Sequence, residues 1–201
     1  MISQKWRQVP GPVKSFLLKA IILFAIWKVL YLLILLPQRI LDKPLTDIIG
    51  AGTAKMVNLM TGTHDYYSLS EVNHKGIGND GHIILENASN IYRHQNLVLA
   101  VADVCNGLEL MVLYAGLIIC LPAATRKKAI YISIGIVTIF VLNVLRCAAL
   151  VLVFLHLPEF LDFFHHYLFS LIVYGFIFWL WYLFTKDMIL AKNLRSNATI
   201  R

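Results

Sequence analysis

Four apolar stretches constrain this chain more than any other feature. They run roughly over Phe16–Leu36, Leu97–Leu121, Ala129–Leu157 and Phe163–Thr185, each long enough for about 30 Å of hydrocarbon. With 59% hydrophobic residues and a mean hydropathy of +0.70, the chain is far more apolar than a soluble domain. The predicted fold class is an all-α integral membrane protein. It is one membrane domain over residues 1–201, with about four core transmembrane helices. The third stretch is longer than one span, which predicts tilt, a kink or a projection beyond the bilayer.

The net charge of +7 is distributed by topology and does not suit nucleic-acid binding. Lys5, Arg7, Lys14 and Lys19 precede or open the first stretch, Arg126, Lys127 and Lys128 link the second and third, and Lys186, Lys192, Arg195 and Arg201 follow the fourth. Between residues 37 and 96, basic and acidic residues offset each other. Short basic segments stay cytoplasmic. Both termini and the 122–128 link are therefore expected inside, with 37–96 and the turn near 158–162 outside. The first stretch ends in LILLPQR without a small-residue cleavage site, so it reads as a retained anchor helix.

Within the outer segment, LTDIIGAGTAKMVNLM (45–60) has apolar groups at helical spacing, predicting an amphipathic helix on the outer face. The runs YYSLSEV and HIILEN flank GIGNDG, predicting a small extracytoplasmic β-hairpin.

Ionisable groups inside a bilayer are costly and face a bundle interior or a wet cavity. Cys105 in ADVCNG, Arg146 in NVLRC and His165-His166 in FFHHYLF are such groups. At 1.5 Å per residue, Cys105 lies about 12 Å and Arg146 about 16 Å below the outer boundary, with the histidines within about 5 Å of it. All fall in the outer half of the membrane. A thiol, an imidazole and a guanidinium together are the parts of a nucleophilic acyl-transfer site.

Each group also has a plainer reading. Cys105 is either a small packing residue or a nucleophile in a polar stretch with Asp103, Asn106 and Glu109. On a helix Cys105 and Glu109 would share a face, and Gly107 would let a neighbour approach closely. Arg146, with Asn143 on the same face, either locks helices through Asp103 or Glu109 or stabilises a developing oxyanion. One of His165 and His166 is expected to face the site, as an interfacial cap or as a base. Cys120 and Cys147 read as packing residues, and a Cys105–Cys147 pairing stays open. No HExxH or CxxC spacing occurs, so neither a metal site nor a cofactor is expected.

Taken together, ADVCNGLELM, NVLRCAALV and FFHHYLFSLIVYGFIF resemble the exosortase/archaeosortase family of membrane-embedded cysteine transpeptidases. That family carries Cys-(Ser/Asn)-Gly, Asn-x-x-Arg and a span-opening histidine in this order. The resemblance covers about residues 75–180, and the short chain resembles the compact, Bacteroidetes-type forms. It implies Cys105 as nucleophile, Arg146 as electrostatic stabiliser and His166 or His165 as proton carrier, with His166 favoured by the small Ser170 four residues on. The implied substrates are exported proteins bearing a carboxy-terminal motif, an apolar helix and a basic tail. These would be cleaved at the outer leaflet of a bacterial inner membrane and passed to a lipid or other envelope acceptor. The competing expectation is a non-catalytic scaffold or accessory subunit for envelope export, using Arg146 as a helix lock.

Overall fold

The computed structural model describes residues 11–77 and 83–199. The basic residues Lys5, Arg7 and Arg201, the tip of the GIGNDG turn and the side chains of Lys192 and Arg195 lie outside the described residues. The first apolar stretch forms α1, Gly11–Leu30, which continues through a π-helical turn, Tyr31–Leu35, into Leu36–Gln38. There the Leu36 N–H reaches back five residues to the Tyr31 carbonyl. This wider winding precedes Pro37, which has no N–H to donate. Arg39 ends the helix in a left-handed conformation, φ 50°.

Helix α2, Asp42–Thr61, is amphipathic as its spacing predicts. Its buried stripe holds Asp42, Thr46, Ile49, Gly50, Thr53, Ala54 and Val57. That stripe meets a three-stranded antiparallel sheet and the long helix α4, Thr125–His156. The strands are β1, Tyr66–Ile77, β2, Ile83–Arg93, and β3, Asn96–Ala102, in the order β1-β2-β3. The predicted hairpin is therefore the first half of a meander, and the all-α expectation is corrected to helices plus a small sheet.

The third strand comes from what reads as the second apolar stretch. Residues 96–102, NLVLAVA, are too short an apolar run for periodicity to separate strand from helix. Val98 and Val101 pack into a core with Ile49, Val57, Ile91 and Val151. A 3₁₀ turn, Asp103–Cys105, follows, and α3, Leu108–Cys120, begins only after Gly107. The 97–121 span is thus split, and α3 at about 20 Å is shorter than the hydrocarbon thickness. Among the described residues three helical segments are long and apolar enough to cross a membrane: Val13–Gln38, Thr125–His156 and Pro158–Lys186. The second expected span is represented by the shorter α3, Leu108–Cys120. The last of the three long segments winds through a π-helical turn, Phe164–Leu168, into α5, Phe169–Thr199.

Helix α4 joins two cores. One side meets α2 and the sheet; the other packs Ile139 with Met111, Tyr114 and Ile118 of α3 and with Val173, Ile177 and Phe184 of α5. Tyr114 is almost fully buried and donates its O–H to the Tyr131 carbonyl at 2.9 Å. A methyl built on Gly135 would overlap its ring. Because that ring is pinned, Gly135→Ala should cost about 1–3 kcal/mol, read as a lower thermal midpoint in detergent. Gly175→Ala, with open space around it, should be neutral or slightly stabilising.

Candidate active site

A cavity of about 450 Å³ opens where the end of α1, the Cys105 turn, α4 and the π-helical turn of the histidines meet. Cys105, Arg146, His165 and His166 all line it, as do Asp103, Asn106, Gly107 and Glu109. Asn143 stands behind the wall, its Nδ2 donating to the Cys105 carbonyl at 3.0 Å. Of the residues singled out from the sequence, eight therefore reach one cavity and the ninth holds its nucleophile candidate from behind.

Cys105 ends the 3₁₀ turn rather than sitting on a helix. The shared helix face expected for Cys105 and Glu109 does not exist, because Gly107 adopts φ 80° and separates turn from helix. This left-handed conformation suits glycine, and a Cβ there would already touch Asn143 Nδ2 at 3.4 Å. Asn106 is buried at 2% exposure. Its Oδ1 accepts the Leu108 N–H at 2.9 Å, satisfying a free donor at the start of α3. Its Nδ2 donates to Asp42 Oδ1 at 3.0 Å and to Thr46 Oγ1 at 3.3 Å.

On the other side of Cys105, Asp103 accepts from Arg39 Nε at 2.7 Å and Nη2 at 2.9 Å, and from Thr46 Oγ1 at 2.8 Å. The hydrogen bond to Asp103 pushes the Arg39 guanidinium further above its ordinary range, so it stays charged. Tyr31 donates its O–H to Asp42 Oδ2 at 3.1 Å. Sequence reading missed Tyr31, Arg39, Asp42 and Thr46 as parts of the site. A signal was present: Asp42 and Thr46 are polar residues one turn apart on a stripe otherwise read as apolar.

Arg146 is not a helix lock. Asp103 is taken by Arg39 and Glu109 by Lys28. Among the described residues no carboxylate pairs with Arg146, and its Nε is buried without a hydrogen-bond partner. The Cys147 thiol lies within its reach. The charge of Arg146 is thus left for whatever occupies the cavity.

The histidines depart from the expectation that only one faces the site. A π-helical turn winds more widely than an α-helix, and both rings line the cavity, edge to face at 4.8 Å. His166 Nδ1 lies 3.2 Å from the Asp162 carbonyl. A carbonyl only accepts, so Nδ1 carries the hydrogen, and in the neutral ring Nε2 is then the nitrogen with the lone pair. His165 is the less exposed of the two. The Ser170 side chain lies outside the described residues. Cys120 and Cys147 are buried, and all three cysteines are free thiols, so the open Cys105–Cys147 pairing is not made.

No curated protein and no solved structure matches this chain. The family model of the transmembrane exosortases matches residues 15–183, from α1 into α5 and across every motif above. With most of its length matched, the chain belongs to the transmembrane exosortase family.

Proposed function

We propose that this protein is a membrane-embedded cysteine transpeptidase. It cleaves the carboxy-terminal sorting signal of exported proteins at the outer leaflet of a bacterial inner membrane and transfers them to an envelope acceptor through a thioester. The observation that carries this reading is an arginine with no carboxylate partner among the described residues, sharing one cavity with a thiol and two imidazoles. Arg146 also lies about 30 Å along α4 from its basic start at Thr125, which suits an outer-leaflet site if that start is cytoplasmic.

In the proposed reaction an imidazole takes the Cys105 proton and the thiolate attacks the scissile carbonyl. Arg146 stabilises the oxyanion of the tetrahedral intermediate. Collapse breaks the C–N bond, and the imidazolium returns its proton to the departing amine. The thioester at Cys105 is then opened by an amine or hydroxyl acceptor, such as a lipid headgroup, whose proton passes to the same imidazole. Water in place of the acceptor gives hydrolysis. Among the two histidines, His166 has the lone pair at Nε2 already presented, and it is the preferred proton carrier.

The scaffold alternative would use an Arg146 pair with Asp103 or Glu109, and these carboxylates pair with Arg39 and Lys28 instead; variants separate the two readings. Cys105→Ala should insert and fold normally while uncleaved substrate accumulates on gels of the membrane fraction; normal processing would contradict catalysis. Arg146→Gln should keep the thermal midpoint near that of the parent and slow processing about 10²–10³-fold, as loss of an oxyanion donor does. A scaffold would show the reverse, an unfolded Arg146→Gln and a silent Cys105→Ala. His166→Asn should slow processing about 10²–10⁴-fold, and His165→Asn less; equal, near-parent rates in both would remove the histidine role.

A further inference from the structure

Thr46 does something unusual for a helical threonine. Two less buried helical threonines bond back along their own helix: Thr61 donates to the Val57 carbonyl and Thr138 to the Ile134 carbonyl, each at 2.8 Å, whereas Thr53, buried on α2 like Thr46, makes no such bond. That i−4 bond is the usual local outlet for a hydroxyl in a helix. Thr46, fully buried on α2, turns its hydroxyl toward the Cys105 turn. It donates to Asp103 Oδ1 at 2.8 Å and accepts from Asn106 Nδ2 at 3.3 Å.

Those two partners flank Cys105, two residues before it and one after it. A single buried oxygen therefore ties both ends of the turn together. Asp42, one helical turn earlier, takes Asn106 Nδ2 as well at 3.0 Å, and Asn143 holds the Cys105 carbonyl from α4. Among the described residues no hydrogen bond holds the thiol itself, so its direction is set by what grips the residues around it.

We propose that Thr46 is a positioning residue for Cys105, with Asp42 in support, so that one face of α2 templates the nucleophile turn. The proposal rests on the reading of Cys105 as nucleophile, and it adds a residue that touches neither substrate nor thiol. A side chain that only filled space at this position would be replaced by valine without consequence at Cys105. A hydroxyl that closes the turn would not.

The test uses the full-length protein in detergent or nanodiscs, with maleimide labelling of each cysteine followed by mass spectrometry. Thr46→Val keeps the shape and removes the hydroxyl. Cys105 labelling at pH 7.5 should accelerate at least fivefold as the turn loosens, and substrate processing should fall at least tenfold. The thermal midpoint should stay within a few degrees, and the buried Cys120 and Cys147 should remain unlabelled. Thr46→Ser should return both rates to within threefold of the parent. If Thr46→Val does not accumulate, Asp42→Asn should give the same labelling change. Rates within twofold of the parent in the variant tested would overturn the proposal. So would new labelling of Cys147, which marks general loosening, or a Thr46→Ser variant that behaves like valine. Labelling needs no substrate, so its outcome is separate from whether Cys105→Ala still processes.

Discussion

The Cys105 turn is held by buried polar groups that bond to one another across three elements. Asp42, Thr46 and Asn106 are each almost inaccessible, and the Arg39–Asp103 pair beside them is largely enclosed. Leaving any such group unpaired costs about 1–3 kcal/mol, more for a charge, so the set favours one arrangement strongly. That arrangement joins pieces distant in sequence: the end of α1, the first turns of α2 and the passage from β3 to α3. It also explains why two short motifs belong together. Asn143 grips the Cys105 carbonyl and rests against Gly107, and Arg146 follows three residues later on the same side of α4.

Charge is allotted in the same way. Of the three carboxylates lining the cavity, Asp103 is paired with Arg39 and Glu109 with Lys28, while Asp42 accepts hydrogen bonds from Tyr31 and Asn106. Arg146 alone among these cations has no carboxylate against it. In a low-dielectric setting an unmatched guanidinium attracts negative charge strongly, and an acyl-transfer intermediate develops that charge on one oxygen. Lys28 of α1 and Arg39 at its end thus contribute to the site by holding the two carboxylates, Glu109 and Asp103, that the sequence offered to Arg146.

Much of the site was legible because a membrane makes polar residues conspicuous. Cys105, Arg146 and the histidine pair stand out in apolar surroundings, and motif order tied them to one family. The parts that were not legible have physical causes. NLVLAVA reads equally as strand or helix until its partners β2 and α2 are known, so from sequence alone this strand reads as the start of a span. The π-helical turn that brings His165 and His166 to the same cavity has no sequence signature comparable to a proline or a cap. Tyr31 lies in an apolar stretch, and Arg39, Asp42 and Thr46 lie in a segment where charges of both signs offset each other. Only the packing of α2 under the turn shows that Asp42 and Thr46 are buried and that Arg39, Asp42 and Thr46 pair across about 60 residues of chain.

The chemistry proposed for the cavity turns on one bond, a thioester at Cys105 Sγ. The most direct measurement is mass spectrometry of peptides from the protein isolated from its native membranes after rapid acid quench. The expected result is an acyl adduct on the peptide carrying Cys105, released by neutral hydroxylamine and missing from the Cys105→Ala protein. Ongoing substrate cleavage with that peptide always unmodified, or an adduct found only on Cys120 or Cys147, would contradict it.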